Sequence, residues 1–199
     1  MMRAAQRFCC ALICFASAIL STTAAQADSA TDIRILMDQL NDVRAVRRGT
    51  VEQILQIAKK DPQAREYVVQ RLPDLIRKPE SDVWLDAIRI AGSLKAKEAI
   101  PALQEVMSRR PLPAKTYLTL AGIENLDNDI VAKALSQIGN PAIPSVRTLL
   151  ASGDSSMRSR AVLILRNIGS PAARKALQEY LPHETNQEVR KLIQDSLRS

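Results

Sequence analysis

The sequence predicts an all-α solenoid, a stack of helix pairs rather than one closed core. Three observations carry this. The stretch Ala134-Leu135-Ser136-Gln137-Ile138-Gly139-Asn140-Pro141-Ala142 recurs thirty positions later as Ile164-Leu165-Arg166-Asn167-Ile168-Gly169-Ser170-Pro171-Ala172. A period of that size inside helical periodicity marks stacked supersecondary units. No run alternates apolar and polar residues with period two, as a half-buried strand would. Gly139 and Gly169 fall at predicted helix ends, as prolines such as Pro62 and Pro171 do, where a left-handed residue or a missing N–H is tolerated.

The first element is read as a signal to be removed. Met1 to Arg7 carries Arg3 and Arg7 and no acid, Phe8 to Leu20 is an apolar run of 13 residues, and Ala25-Gln26-Ala27 gives a small-x-small site. That pattern is a secretory signal peptide cleaved after Ala27, and the run is shorter than the ~20 residues of a membrane-spanning helix. The mature protein is therefore expected to be periplasmic or secreted. Cys9, Cys10 and Cys14 leave with residues 1–27, so the rest holds no disulfide, thiol nucleophile or cysteine metal site. Packing alone must hold an exported fold without disulfides, and a chain near 150 residues buries roughly 70% of its unfolded surface. Loss of Arg3 and Arg7 lowers Lys plus Arg from 28 to 26 against 21 acids, and the net charge from +7 to +5. Outside the cytoplasm, such an excess suits an acidic protein patch, an acidic glycan or, more weakly, an anionic membrane surface better than nucleic acid.

From Thr31, the positions Ile33, Leu36, Met37, Leu40 and Val43 follow helical spacing. Thr50-Val51-Glu52-Gln53 reads as a capping box opening a helix with Ile54, Leu55 and Ala58 on one face. Asp61-Pro62 is the next start signal, an N-cap followed by proline at the first helical position. That helix is expected to run toward Lys78 and to bend or break at Pro73, which removes a backbone donor. Residues 28–80 thus form a helical cap or degenerate repeats. From Ser81 the repeats sharpen: Asp82 to Leu94 aligns with Ser156 to Ile168 at an offset of 74, matching Val83 with Met157, Ala87 with Ala161, Ile90 with Ile164 and Leu94 with Ile168. Ala87, Val131 and Ala161 are small where helices must approach. Second helices begin at Ala99-Ile100-Pro101, Ala142-Ile143-Pro144 and Ala172, and a last helix from about Asn186 to Leu197 closes an array of roughly five pairs in all.

Asp-x-x-(Val/Met)-Arg-x-x-Ala followed by Leu-x-x-Ile-Gly-x-Pro-Ala-Ile-Pro-x-Leu resembles the HEAT-repeat family, especially the short bacterial repeats shared with phycobilin-lyase-like proteins. Asp154, Met157, Arg158, Ala161, Leu165, Ile168, Gly169 and Pro171 match one unit, and Gly139, Pro141, Ile143 and Pro144 match half of the unit before it. The resemblance covers residues 81–199 and implies a right-handed α-solenoid of stacked antiparallel helix pairs, HEAT- or armadillo-like, whose second helices line the concave face. Two places depart from it. Trp84 stands where a repeat arginine is expected, and a spacing of 44 between Leu94 and Ile138 leaves about 14 extra residues around Arg109 to Asn125.

No catalytic constellation, metal site or cofactor motif is visible. His183 is the sole histidine, and one histidine without cysteine cannot build the usual zinc or facial-triad site. Asn125-Leu126-Asp127-Asn128-Asp129 has calcium-loop spacing, but Ile130 replaces the sixth-position glycine and Ser136 the closing glutamate, so helix capping by Asp127 or Asp129 accounts for it. The connection holding Arg109, Arg110 and Tyr117 suits recognition, since long loops on rigid scaffolds carry function; a solvated connector fits it too. Trp84 fits an exposed anchor or packing over the preceding helix. Gln104, Arg147, Arg174 and Lys175 are polar members of second helices and form a candidate basic strip.

The sequence therefore reads as an exported, non-enzymatic scaffold or adaptor that binds a protein partner through Trp84, Gln104, Arg109, Arg110, Tyr117, Arg147, Arg174 and Lys175, with no cofactor. The alternatives are a phycobilin-lyase-like or chaperone-like factor, against which the export signal argues, and a nucleic-acid-binding solenoid.

Overall fold

The computed structural model describes residues 31–40, 44–78, 83–109 and 129–198. The expected signal segment 1–27, Arg110, Tyr117 and the acidic run from Asn125 to Asn128 lie outside the described residues. Within those described there are ten α-helices, three 3-10 turns and no strand. They are α1 (31–39), α2 (Arg44–Lys60), α3 (Pro62–Ile76), α4 (Trp84–Ser93), α5 (Ile100–Ser108), α6 (Ile130–Ile138), α7 (Ile143–Leu150), α8 (Ser155–Ile168), α9 (Pro171–Tyr180) and α10 (Gln187–Arg198). The chain divides into two compact units at Val68 and Val69, inside α3.

In the first unit, α1 buries Ile33, Met37 and Leu40 as its spacing predicts, while Ile35 on another face is half exposed. The Arg34 guanidinium lies 5.6 Å over the Tyr67 ring, a cation–π geometry. Helix α2 corrects the expected start at Thr50: it runs from Arg44 through Gly49, and Thr50 is a buried interior residue. Each propagated residue adds a backbone hydrogen bond, which outweighs the ~1 kcal/mol penalty of one internal glycine. Ile54 and Ala58 face inward as predicted.

Asp61 caps α3 as its Asp-Pro signal predicts. Its Oδ1 accepts from Gln63 N at 2.8 Å and Ala64 N at 3.3 Å. Pro73 does not break α3, which continues to Ile76. The proline sits in the last turn, where its missing N–H interrupts only the end of the ladder.

The second unit is built in two rows. Helices α4, α6, α8 and α10 pack successively on one another, and α5, α7 and α9 form the second row, each row touching the other through α5–α6, α7–α8, α8–α9 and α9–α10. Among the described residues this unit holds the end of α3 from Val69 and the helices α4 to α10. Its core is aliphatic: Ile88, Ile90, Leu103, Met107, Leu135, Leu150 and Ile164 are fully or almost fully buried. Ala87, Val131 and Ala161 are buried as their alignment predicts. A close crossing lies elsewhere, at Gly92 on α4. A β-carbon there would stand 3.0 Å from Ala134 Cα and 2.2 Å from Gln137 Oε1 on α6. The Gln137 side chain can turn away, but the Ala134 backbone cannot.

The repeated turn has one conformation problem solved two ways. Gly139 (φ 83°) and Gly169 (φ 64°) supply the positive φ that ends α6 and α8, at no steric cost to glycine. The corresponding residue after α4 is Lys95, with φ 51°. It is held by Lys95 N donating to Gly92 O at 3.0 Å and Ala96 N to Ala91 O at 2.9 Å, a Schellman pair. A non-glycine residue there costs about 1–2 kcal/mol, and glycine returns some of that through a more flexible unfolded chain. Lys95→Gly is therefore expected to raise the thermal midpoint by about 2–4 °C, measured by circular dichroism melting; a lowered midpoint would contradict the strain argument.

Candidate partner-binding surface

Two first-row helices of the second unit, α8 and α10, are anchored at their N-termini by the same device. Asp154 Oδ1 accepts from Ser156 N at 3.1 Å and caps α8. Asn186 Oδ1 accepts from Glu188 N at 3.0 Å and Val189 N at 3.1 Å and caps α10. Two residues before each cap, a side chain accepts the cap residue's own N–H: Ser152 Oγ from Asp154 N at 3.2 Å, Glu184 Oε1 from Asn186 N at 2.8 Å. Four residues after each cap an arginine reaches back to that same loop. Arg158 Nη1 donates to Ser152 O at 2.9 Å and Arg190 Nη1 to Glu184 O at 3.0 Å.

Arg158 also reaches forward. Its Nε and Nη2 donate to Glu184 Oε2 and Oε1 at 2.8 and 2.9 Å, a bidentate fork between side chains only 11% and 1% exposed. These hydrogen bonds hold the Glu184 carboxyl below the usual carboxylate range and push the guanidinium up. Tyr180, whose hydroxyl lies 3.4 Å from Glu184 Oε2, is pushed up by its own burial and then by that carboxylate. The sequence marked Arg158 as a repeat arginine but gave no sign of Glu184, its partner 26 positions away.

Trp84 occupies the arginine's place and performs half of its task. The side chain is wholly buried and its Nε1 donates to Ile76 O at 2.8 Å, in the segment preceding the helix. This corrects its candidacy as a surface anchor: an indole at this position packs over the preceding helix and satisfies a carbonyl, leaving nothing for a partner to touch.

The other candidates lie on the second row. Gln104 on α5 donates from Nε2 to Thr148 Oγ1 on α7 at 2.7 Å. Arg147 on α7 pairs with Glu179 on α9 at 2.7 Å, and Lys175 approaches the same carboxylate at 3.9 Å. Arg109, after α5, donates to Glu105 at 2.6 Å, and Arg77 meets that carboxylate at 2.9 Å. Hydrogen bonds from Arg109, then Arg77, lower the Glu105 pKa. Arg174 Nη1 donates to Leu197 O at 3.4 Å. The expected basic strip is thus interleaved with acids, Glu105 and Glu179 each lying between two bases. These ion-paired groups are substantially exposed, and exposed pairs contribute roughly 0–1 kcal/mol. Beside this row a cleft of about 280 Å³ opens between α5, α7 and the start of α8. Leu149 and Met157 are its apolar lining; Gln104, Ser108, Thr148, Ser152 and Asp154 are its polar lining.

Other candidate chemistry has structural explanations. Asp129 Oδ1 accepts from Ala132 N at 3.0 Å and caps α6, while its Oδ2 meets the Arg160 guanidinium; capping is thus the role of this carboxylate. His183 is exposed in the 3-10 turn Leu181–His183. No group of three or more metal-ligating side chains occurs among the described residues, and no described helix is long and apolar enough to cross a membrane.

A search of curated proteins gives no match to the chain. A family model described as HEAT repeats matches residues 128–198, the stretch that holds α6 to α10 and both glycine turns. Over that stretch the chain is similar to HEAT repeats, in keeping with the all-α solenoid its helices form.

Proposed function

We propose that the protein is exported and works as a binding scaffold, without catalysis, whose second-row face on α5, α7 and α9 docks a protein partner. The observation that carries this reading is the row of side chains held across that face, Gln104 on Thr148 and Arg147 on Glu179, beside a cleft of mixed polarity. A preformed surface binds with little ordering cost, and stacked repeats preorganise such surfaces. The N-terminal pattern of charge, apolar run and small-x-small site supports export. Partner recovery from periplasmic extract tests it. Arg147→Glu sets a negative charge against Glu179 and is expected to abolish recovery; unchanged recovery with a folded variant would sink the face assignment.

A further inference from the structure

We propose that the cleft between α5, α7 and the start of α8 seats an arginine side chain of the protein partner. This rests on the reading of the second-row face as a docking surface and names what anchors there. At about 280 Å³ the cleft falls short of the roughly 300–1,000 Å³ of small-molecule sites and suits one inserted side chain. Hydrogen bonds within its wall set its polarity. Gln104 Nε2 donates to Thr148 Oγ1, and the Thr148 hydroxyl in turn donates to Ser145 O. The Ser156 amide at the start of α8 is turned to Asp154 Oδ1. The Ser108 and Ser152 hydroxyls can turn either way. What the wall chiefly offers an occupant is therefore acceptor atoms, the Gln104 amide oxygen and the Asp154 carboxylate, the one charged group among the described lining residues. A guanidinium is the complement of such a wall, all donors and no acceptor.

The molecule displays the same pairing at another helix start. Asp129 caps α6 with Oδ1 and meets the Arg160 guanidinium with Oδ2. A carboxylate accepts about four hydrogen bonds, so capping α8 does not saturate Asp154. Leu149 and Met157 line the cleft beside these acceptors, and the apolar stem of an arginine lies along such surface while its head reaches the polar end. The cations next to the cleft are already matched by acids: Arg147 by Glu179, Arg158 by Glu184 and Arg109 by Glu105. The charge an occupant meets is thus that of Asp154.

The test follows the Met157 and Leu149 methyl groups by NMR in the full chain, titrated with acetyl-arginine methylamide and with its neutral citrulline analogue. The arginine probe is expected to shift both methyl groups, and the citrulline probe to bind about tenfold more weakly, having lost the charge-assisted bonds. Asp154→Asn keeps a good helix cap and removes the charge; verified as folded by circular dichroism, it should weaken the arginine probe by a similar factor. No shift at these methyl groups, equal affinity for the two probes, or undiminished binding to Asp154→Asn would each overturn the assignment. Partner recovery from periplasmic extract separates this inference from the reading it rests on. Loss with both Arg147→Glu and Asp154→Asn is expected. Loss with Arg147→Glu alone overturns the cleft and leaves the face standing, whereas loss with neither overturns the face and its anchor together.

Discussion

Replacing Glu184 by glutamine is expected to destabilise the protein by about 3–5 kcal/mol, the cost of leaving a buried guanidinium without its countercharge. Arg158 would keep the Ser152 carbonyl but lose the bidentate carboxylate. The double variant Arg158→Met with Glu184→Leu removes both charges and should cost much less, because the pair's desolvation offsets most of its Coulombic gain. The pH dependence follows from the direction of the Glu184 shift. The folded carboxyl lies below its unfolded value because Arg158 hydrogen-bonds the ionised form. The pair's contribution is therefore complete above the unfolded pKa of about 4.3 and is lost as pH falls through the lower, folded pKa. Urea midpoints from about pH 7 to about pH 3 should fall for the wild type and fall less for Glu184→Gln. Parallel profiles would show that the pair is not what acid titrates.

Trp84→Ala is expected to cost about 3–5 kcal/mol, a large share of the roughly 5–15 kcal/mol of a typical domain. The indole is the largest fully buried side chain in the protein, and its loss opens a cavity and leaves the Ile76 carbonyl without its donor. The thermal midpoint should drop by about 10 °C. Trp84→Phe fills most of the space and loses the N–H, so it should cost about 1–3 kcal/mol, the desolvation penalty of one unsatisfied carbonyl. Calorimetry of the three proteins checks the order. A Trp84→Ala protein as stable as the wild type would require the residue to lie at the surface after all.

The fold was legible because its signals are local and periodic. The thirty-residue echo, the Asp61-Pro62 start and the glycines at 139 and 169 each encode a backbone event within a few residues, and the structure places helix ends at all of them. What the sequence concealed is depth and distance. Nothing in a helical pattern distinguishes an indole facing water from one folded back over a neighbour, so Trp84 stayed ambiguous until its burial was seen. Glu184 lies in a loop between polar residues, and only the three-dimensional return of the chain brings it to Arg158. The close approach at Gly92 had a weak signal, an isolated glycine inside a helical run, but the alignment of small residues drew attention to Ala87 instead. At Thr50 a good capping sequence lost to the continuing helix, since a cap contributes only about 1 kcal/mol.

The candidate surface was legible residue by residue but not as an electrostatic whole. Arg147, Arg174, Lys175 and Gln104 do lie on second-row helices, yet Glu105 and Glu179 sit among the bases and break the strip. The acids belong to the same helices, one turn from Arg109 and Lys175, and i, i+4 pairing is the signal that would have found them.

Hydrogen exchange on the complex recovered from periplasmic extract most directly tests whether the second row is the docking face. The account predicts slowed amide exchange along Ile143–Leu150 and Pro171–Tyr180, the helices carrying Arg147, Lys175 and Glu179, with the outer faces of α4 and α6 unchanged. Slowing confined to α4, α6 and α8, with α7 and α9 exchanging as in the free protein, would contradict it.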